Sequence, residues 1–329
     1  MARYIIKRLL QSVVTILLVV SVVFLLLRLL PTDYFFTEEE LIKLTPEQQH
    51  DKLQANGLLD HPLVQLFNFY KRLFTQGDLG TSRRLQTGKS VVSLIASRFG
   101  ISMKLGLIAL AISLIIGVPL GILQARFKDG HLDRIGTGFT IFVNAVPHLV
   151  SYSLIMVFGS RVLGLPAMYS TRKVVKLAIL GMEMKINTSS ILPVACLALG
   201  SIAYYMLWMR RYMVDELNKD YIRLAKLKGF STTQVMYRHV MKNAFLPLAQ
   251  YLPYSVLLTV GGSLLVERFF SVPGLGAFLT DAIGKYDVDL VQAIVMLYAS
   301  LGILGLFLGD LLMTVLDPRI RLTGKGGAR

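Results

Sequence analysis

Six apolar runs, each near the length a helix needs to cross a bilayer, constrain this chain more than any other feature. They are Leu9–Leu30, Ile101–Ala125, Ile135–Phe158, Ile191–Met209, Ala244–Val266 and Leu290–Leu316. At about 1.5 Å of rise per residue, about 20 apolar residues cover the roughly 30 Å of hydrocarbon. Hydrocarbon offers no water to backbone amides, so segments of this kind must satisfy themselves as helices. The predicted fold class is an all-α integral membrane protein with six spanning helices. Composition agrees, with 54% hydrophobic and 17% charged residues where a soluble domain has about 45–50% and about 25%. The first run is too long for the apolar part of a removable leader and has no small-residue cleavage site before Pro31, so it is expected to remain as an anchor. Cys196 is the single cysteine, which rules out an internal disulfide and leaves no basis for a metal cluster.

The net charge of +15 suits either nucleic acid or an anionic membrane face, and its distribution decides between them. With an inside N-terminus the inner segments are Met1–Arg8, Gln124–Arg134, Arg210–Asn243 and Pro318–Arg329. These carry Arg3, Lys7, Arg8, Arg126, Lys128, Arg134, Arg210, Arg211, Lys219, Arg223, Lys226, Lys228, Arg238, Lys242, Arg319, Arg321, Lys325 and Arg329. Bases are denser there than in the outer segments, as the positive-inside rule predicts, so both termini are expected in the cytoplasm and no nucleic-acid partner is expected. Arg28, near the outer end of the first span, is expected to snorkel to water.

Between the first two spans, residues 31–98 turn soluble in composition. Thr37-Glu-Glu-Glu and Thr45-Pro-Glu-Gln-Gln read as helix starts, and the spacing of apolar residues over His61–Phe74 predicts a packed helix. We expect an extracytoplasmic lid docked on the bundle. Within it, Gly88-Lys-Ser90 imitates the end of a phosphate-binding loop, but Arg83 stands where that loop requires glycine. Inside the spans, Pro119, Pro147 and Pro253 are candidate breaks, and Gly117-Val-Pro-Leu-Gly121 and Gly305-Leu-Phe-Leu-Gly309 place small residues one helical turn apart for close helix contact. The candidate path-lining residues are Asn144 and His148, four apart and so on one helix face, and Asp310 in the sixth run.

The segment 213–243 between the fourth and fifth runs reads as two helices meeting at a corner. Asp215, Glu216 and Asp220 fall toward the start of the first helix and Lys226 and Lys228 at its end, which complements the helix dipole. Gly229 suits a left-handed terminating residue, and Ser231 with Gln234 forms a capping box for the second helix. Ile222, Leu224, Ala225 and Phe230 are expected to form an apolar patch at the corner, of the kind that marks a partner's docking site.

The stretch from Asp220-Tyr-Ile-Arg-Leu-Ala-Lys-Leu-Lys-Gly-Phe to Tyr237-Arg-His-Val-Met-Lys-Asn-Ala-Phe-Leu-Pro resembles the ATPase-docking loop of binding-protein-dependent ABC importer permeases. Of that loop's general pattern only Ala225 and Gly229 match, with Arg223 and Leu224 preceding them. The fuller pattern, ending in Arg238-His239 and Asn243-Ala244, is similar to the dipeptide, oligopeptide and nickel branch, and Lys242 followed by Pro247 to the first, B-type, of its paired permeases. Gly77-Asp-Leu-Gly-Thr-Ser82, Ile191-Leu-Pro193 and Pro273-Gly-Leu-Gly276 agree, whereas Arg28–Asp33 and Ala167–Ser190 fit less well.

The resemblance implies a type I ABC importer transmembrane domain, divided into an N-terminal segment with the first span (1–30), the lid (31–98) and a five-helix core (99–329). It implies a second homologous permease, two cytoplasmic ATP-binding subunits that carry ATP and Mg, and an extracytoplasmic substrate-binding protein, all in a bacterial or archaeal cytoplasmic membrane. This chain would bind no cofactor and catalyse nothing. The expected coupling residues are Arg223, Leu224, Ala225, Lys226, Lys228, Gly229, Phe230, Ser231, Gln234, His239 and Asn243. Peptides are the expected cargo, with nickel chelates or glutathione as alternatives on the same scaffold. A secondary transporter would need inverted repeats with broken or charged midplane helices, and a membrane enzyme a clustered catalytic set; the sequence shows neither.

Overall fold

The computed structural model describes residues 2–179 and 182–316, so Arg319, Arg321, Lys325 and Arg329 lie outside the described residues. Among the described residues five helices are long and apolar enough to cross a membrane. They are α1 (Ala2–Leu27), α5 (Val91–Arg126), α8 (Ile191–Leu217), the segment of α12 (Leu246–Val260) and α13 (Leu264–Phe269), and α15 (Val288–Leu316). A sixth span is bent by 107° between α6 (His131–Ala145) and α7 (His148–Arg161). The break falls at Pro147, which has no amide to continue the ladder and drives Val146 into an extended conformation, φ −78° and ψ 128°. Pro119 and Pro253 stay inside α5 and α12. The bend corrects one expectation: Asn144 and His148 do not share a helix face. Asn144 turns its Nδ2 back to the Thr140 carbonyl at 2.7 Å, and His148 meets Tyr152 edge-on at 6.1 Å.

Glycine sets how close the helices come. A Cβ on Gly117 would lie 2.8 Å from the Ile202 carbonyl oxygen, and one on Gly121 2.6 Å from that of Met206, so α5 and α8 touch backbone to backbone. Gly305 and Gly309 do the same for α15 on α12, where added Cβ atoms would reach Tyr254 Cα at 2.6 Å and the Gln250 carbonyl oxygen at 2.2 Å. Both expected small-residue contacts are thus present. The α5–α8 core of Leu110, Tyr205, Met209 and Met213 continues without interruption into Ile222, Val235, Met236 and Val240.

In residues 31–98, α2 (Glu38–Lys43) and α3 (Pro46–Ala55) both start with complete capping boxes, Thr37 with Glu40 and Thr45 with Gln48. The expected third helix is α4 (Pro62–Gln76). It packs along α1, with Phe69 5.3 Å from Phe24 and the Tyr70 hydroxyl donating to the Leu17 carbonyl at 2.8 Å. Leu63, Phe67 and Phe74 remain exposed on its other side. The loop containing Gly88-Lys-Ser90 is closed by a Thr81–Ser90 bridge. Its Arg84 and Leu85 amides donate to Asp287 Oδ2 at 3.1 and 3.0 Å, so the donors a phosphate would need already hold a carboxylate. Arg28 does not snorkel as expected; its guanidinium turns back over the rings of Phe24 and Phe35. Among the described residues the one sheet is an antiparallel hairpin in the Ala167–Ser190 region, β1 (Val174–Ile179) with β2 (Met182–Asn187).

Gly121→Ala is expected to cost about 1–3 kcal/mol, the range for overpacking a filled contact, and to lower the thermal midpoint in detergent. Gly138→Ala, where a Cβ would meet nothing within 4 Å, serves as the control. Equal midpoints for the two variants would contradict the close α5–α8 contact.

Candidate functional site

The corner segment is an extension of the bundle. α8 runs on to Leu217, so Asp215 and Glu216 belong to its last turn; only Asp220 begins α9 (Asp220–Leu227). The expected placement of all three acids at the start of the elbow helix is corrected accordingly, because Met213 is buried in the core and Val214 and Leu217 pack against it, which carries α8 past the last apolar residue of the run. Gly229 takes φ +85°, a left-handed conformation that a residue with a Cβ adopts at a cost. Next, Ser231 Oγ accepts from the Gln234 amide at 3.4 Å and Gln234 Oε1 from the Ser231 amide at 3.0 Å, the expected capping box. The second helix is less regular than expected. α10 (Thr232–Val235) passes into one π-helical turn, Met236–Val240, then α11 (Met241–Ala244) and α12. A π turn inserts one residue into the helical repeat and rotates the helix beyond it.

The apolar patch also differs from expectation. Ile222 and Ala225, one turn apart, are buried in the core with Val235, Met236 and Val240, and Phe230 packs against them. Leu224 and Leu227, one turn apart on the opposite side of α9, are 54% and 84% exposed. Leu224 alone of the expected patch faces out, and Leu227 joins it. A two-sided helix of eight residues cannot be divided from composition, because its two apolar pairs have the same spacing. Lys226, Lys228 and Arg223 surround the exposed pair, and Arg223 reaches Asp220 at 3.4 Å in an ion pair too exposed to contribute much.

Glu216 holds the corner together. Its buried carboxylate accepts from the Tyr221 hydroxyl, from Asn243 Nδ2 at 3.1 Å and from Lys219 Nζ at 2.6 Å. Asn243 Nδ2 also donates to the Tyr221 hydroxyl at 2.8 Å. One side chain of α8 is thereby tied to the α8–α9 turn, to α9 and to α11. His239 completes the packing, its ring 5.6 Å from that of Phe230. Asn243 and His239 were expected site residues; Glu216 and Tyr221 were not, since nothing in their spacing predicts a contact across 27 residues. Nearby, Arg210 grips Asp133 through both carboxylate oxygens, Nη2 to Oδ2 at 2.6 Å and Nε to Oδ1, and so clamps α6 to α8.

The three candidate path residues do not gather. Asp310 is held between α1 and α12, 3.3 Å from Arg8 Nη1 and 3.1 Å from Gln250 Nε2. Asn144 and His148 are exposed at the α6–α7 bend, and no hydrogen bond among the described residues joins them to Asp310.

The family model described as "Binding-protein-dependent transport system inner membrane component" matches residues 117–322. The dipeptide transport system permease protein DppB of Bacillus subtilis is 31% identical over 327 residues, 99% of this chain and 100% of the relative. The oligopeptide transport system permease protein OppB of Haemophilus influenzae is 30% identical, with 98% of this chain and 100% of the relative covered. Among solved structures, the inward-facing MetNI methionine ABC transporter matches with a TM-score of 0.52 at 12% identity, over 69% of this chain and 97% of that one. An amino acid ABC transporter with histidines matches with a TM-score of 0.50 at 16% identity, over 69% and 94%. At such identities these structures establish the shared fold.

Glu216→Gln keeps the shape of the side chain and removes its charge. It is expected to weaken the corner by about 1.5–3 kcal/mol, the range for hydrogen bonds to a charged group, which raises amide exchange over 218–230 at least about tenfold. Asp215→Asn, at an exposed neighbour, should leave exchange unchanged. Wild-type protection in the Glu216 variant would contradict the bracing role.

Proposed function

The chain belongs to the family of binding-protein-dependent transport system inner membrane components, and on that premise we propose that its elbow at 213–243 is the seat of a separate ATPase subunit. The chain is a multi-pass, non-catalytic permease subunit of a peptide-type ABC importer. In our reading a second homologous permease completes the path, two cytoplasmic ATP-binding subunits supply the energy, and an extracytoplasmic substrate-binding protein delivers peptide. Both termini and the elbow lie in the cytoplasm, and residues 31–98 form a lid on the opposite face.

One observation carries the coupling role. α9 offers Leu224 and Leu227 to solvent while its other side, Ile222 and Ala225, is locked into the same core as α5 and α8. A partner that grips the exposed pair moves the core with it. Burial of two leucines on docking is worth about 1.5–3 kcal/mol each. The ring of Lys226, Lys228 and Arg223 favours an acidic groove rim, which sets orientation and salt dependence more than affinity. Closing of the ATPase pair on ATP would draw two such elbows together and rock the bundles from one opening to the other. Gly229, Ser231 and Gln234 keep the corner's shape, and Phe230, His239 and Asn243 join it to α11 and α12.

Gly229→Pro cannot reach φ +85°, because the ring fixes φ near about −65°. At equal membrane abundance this variant is expected to lose at least about tenfold in peptide uptake by proteoliposomes of the full complex while the ATPase subunits still hydrolyse ATP, a loss of about 1.4 kcal/mol in coupling. Uptake at the wild-type rate would refute the elbow as the coupling element.

A further inference from the structure

Helix α4 has three sides where a helix lying on a soluble core has two. Gln65 and Phe69 are buried, and Leu66 and Leu73 on the same side pack toward Val20 and Phe24 of α1. Asn68, Lys71 and Thr75, three and four apart, form an exposed polar side. Between these two sides run Leu63, Phe67, Tyr70 and Phe74, again three and four apart and so one continuous stripe. Phe67 and Phe74 are 68% and 73% exposed, and the Tyr70 and Phe74 rings stack at 6.0 Å. The helix is pinned on both flanks. Gln65 Nε2 donates to the Leu58 and Asp60 carbonyls at 2.9 and 2.8 Å, and beyond Gly77, at φ +63°, Ser82 Oγ donates to Asp287 Oδ2 at 2.6 Å. The apolar stripe is therefore held away from the bundle, and a contiguous surface of this kind marks contact with something apolar.

The depth of α4 identifies that contact. The Tyr70 hydroxyl donates to the Leu17 carbonyl at 2.8 Å and lies 2.9 Å from Ser21 Oγ, and the Phe69 ring lies 5.3 Å from that of Phe24. Leu17 is well inside α1, which ends at Leu27; at about 1.5 Å per residue the Tyr70 bond is made about 15 Å from the helix end. Residues 17–24 belong to the apolar span Ile5–Leu27, in the half nearer residues 31–98, and that half lies at hydrocarbon depth. At the same depth α1 itself exposes Val14, Leu18 and Val22, as a helix in contact with acyl chains does. The Tyr70 bond fits this setting, because a phenol away from water takes a protein acceptor, here a carbonyl of the spanning helix. The polar side of Asn68, Lys71 and Thr75 places α4 at the boundary of the hydrocarbon and not across it.

We propose that α4 is an interfacial helix whose Leu63, Phe67 and Phe74 are inserted among the acyl chains of the leaflet at the Leu27 end of α1, with Asn68, Lys71 and Thr75 among the headgroups. The partner of this surface is the lipid itself. Residues 31–98 are thereby anchored in the bilayer through α4 as well as through α1. The inference rests on α1 as a spanning helix and is independent of the elbow and its role.

The test is spin-label accessibility in phosphatidylcholine nanodiscs, on the full chain and again on the assembled importer. Cys196, buried and the single cysteine, is first replaced by alanine. One label at a time is then attached through Phe67→Cys, Phe74→Cys, Asn68→Cys or Thr75→Cys, with Asp51→Cys, at an exposed position of α3, as the water reference. Collision with oxygen, which concentrates among acyl chains, is compared with collision with a water-soluble nickel chelate. The oxygen-to-nickel ratio at positions 67 and 74 should exceed that at position 51 by at least about tenfold, a partition difference of about 1.4 kcal/mol. Positions 68 and 75 should keep the water-like ratio. A frayed or misfolded α4 cannot produce this split, because the four positions alternate around one helix. A water-like ratio at 67 and 74 would overturn the proposal. So would slow collision with both reagents there, in the importer alone or once the substrate-binding protein is added, since that would assign the stripe to a protein partner.

Discussion

Glu216 is a buried carboxylate at the last turn of a membrane-spanning helix, and its surroundings explain why the corner at 213–243 is a part rather than a loop. A charge removed from water has to be repaid by several well-placed donors. Tyr221, Asn243 and Lys219 provide them from α9, α11 and the intervening turn. Because one acceptor serves all three, the elements they belong to have a single mutual arrangement. Without it, α9 would be eight residues of marginal helix, too short to persist by itself.

The stiffness continues into the bundle. Gly117 and Gly121 bring α5 against α8 at backbone distance, and Arg210 with Asp133 fixes α6 to the same helix. Such contacts tolerate little sliding, since packed interfaces have discrete arrangements and do not deform smoothly. In the proposed coupling, a displacement of α9 would reach α5, α6 and α12 as rotation of a body. The bend at Pro147 and the break between α12 and α13 lie beyond these contacts.

Much of this was legible in the residues. The apolar runs place the spans because hydrocarbon imposes length and periodicity together. The glycine pairs, the Ser231–Gln234 capping box and the helix starts at Thr37 and Thr45 could be read because their chemistry is local, within three or four residues. What could not be read is what depends on distance. The orientation of α9 was opaque because Ile222 with Ala225 and Leu224 with Leu227 have the same spacing, and only the core decides which pair it takes. Asn144 and His148 look like neighbours until Pro147 turns the chain between them. Glu216 and Asn243, and Asp287 and the loop at Ser82–Leu85, are brought together across 27 and 202 to 205 residues by packing, and no periodicity encodes such meetings. The DppB and OppB relatives add the transport context, which no single helix contains.

The central claim is that α9 docks by its Leu224 and Leu227 side while its opposite side stays in the bundle. Site-specific cross-linking tests it most directly, with Leu224→Cys, Leu227→Cys and Ala225→Cys placed in turn in the assembled complex and treated with a short thiol-to-amine cross-linker. The account predicts ATPase-subunit adducts from positions 224 and 227, and none from 225, which is buried. Absence of adducts from Leu227→Cys in a complex that still transports, or adducts from Ala225→Cys alone, would contradict it.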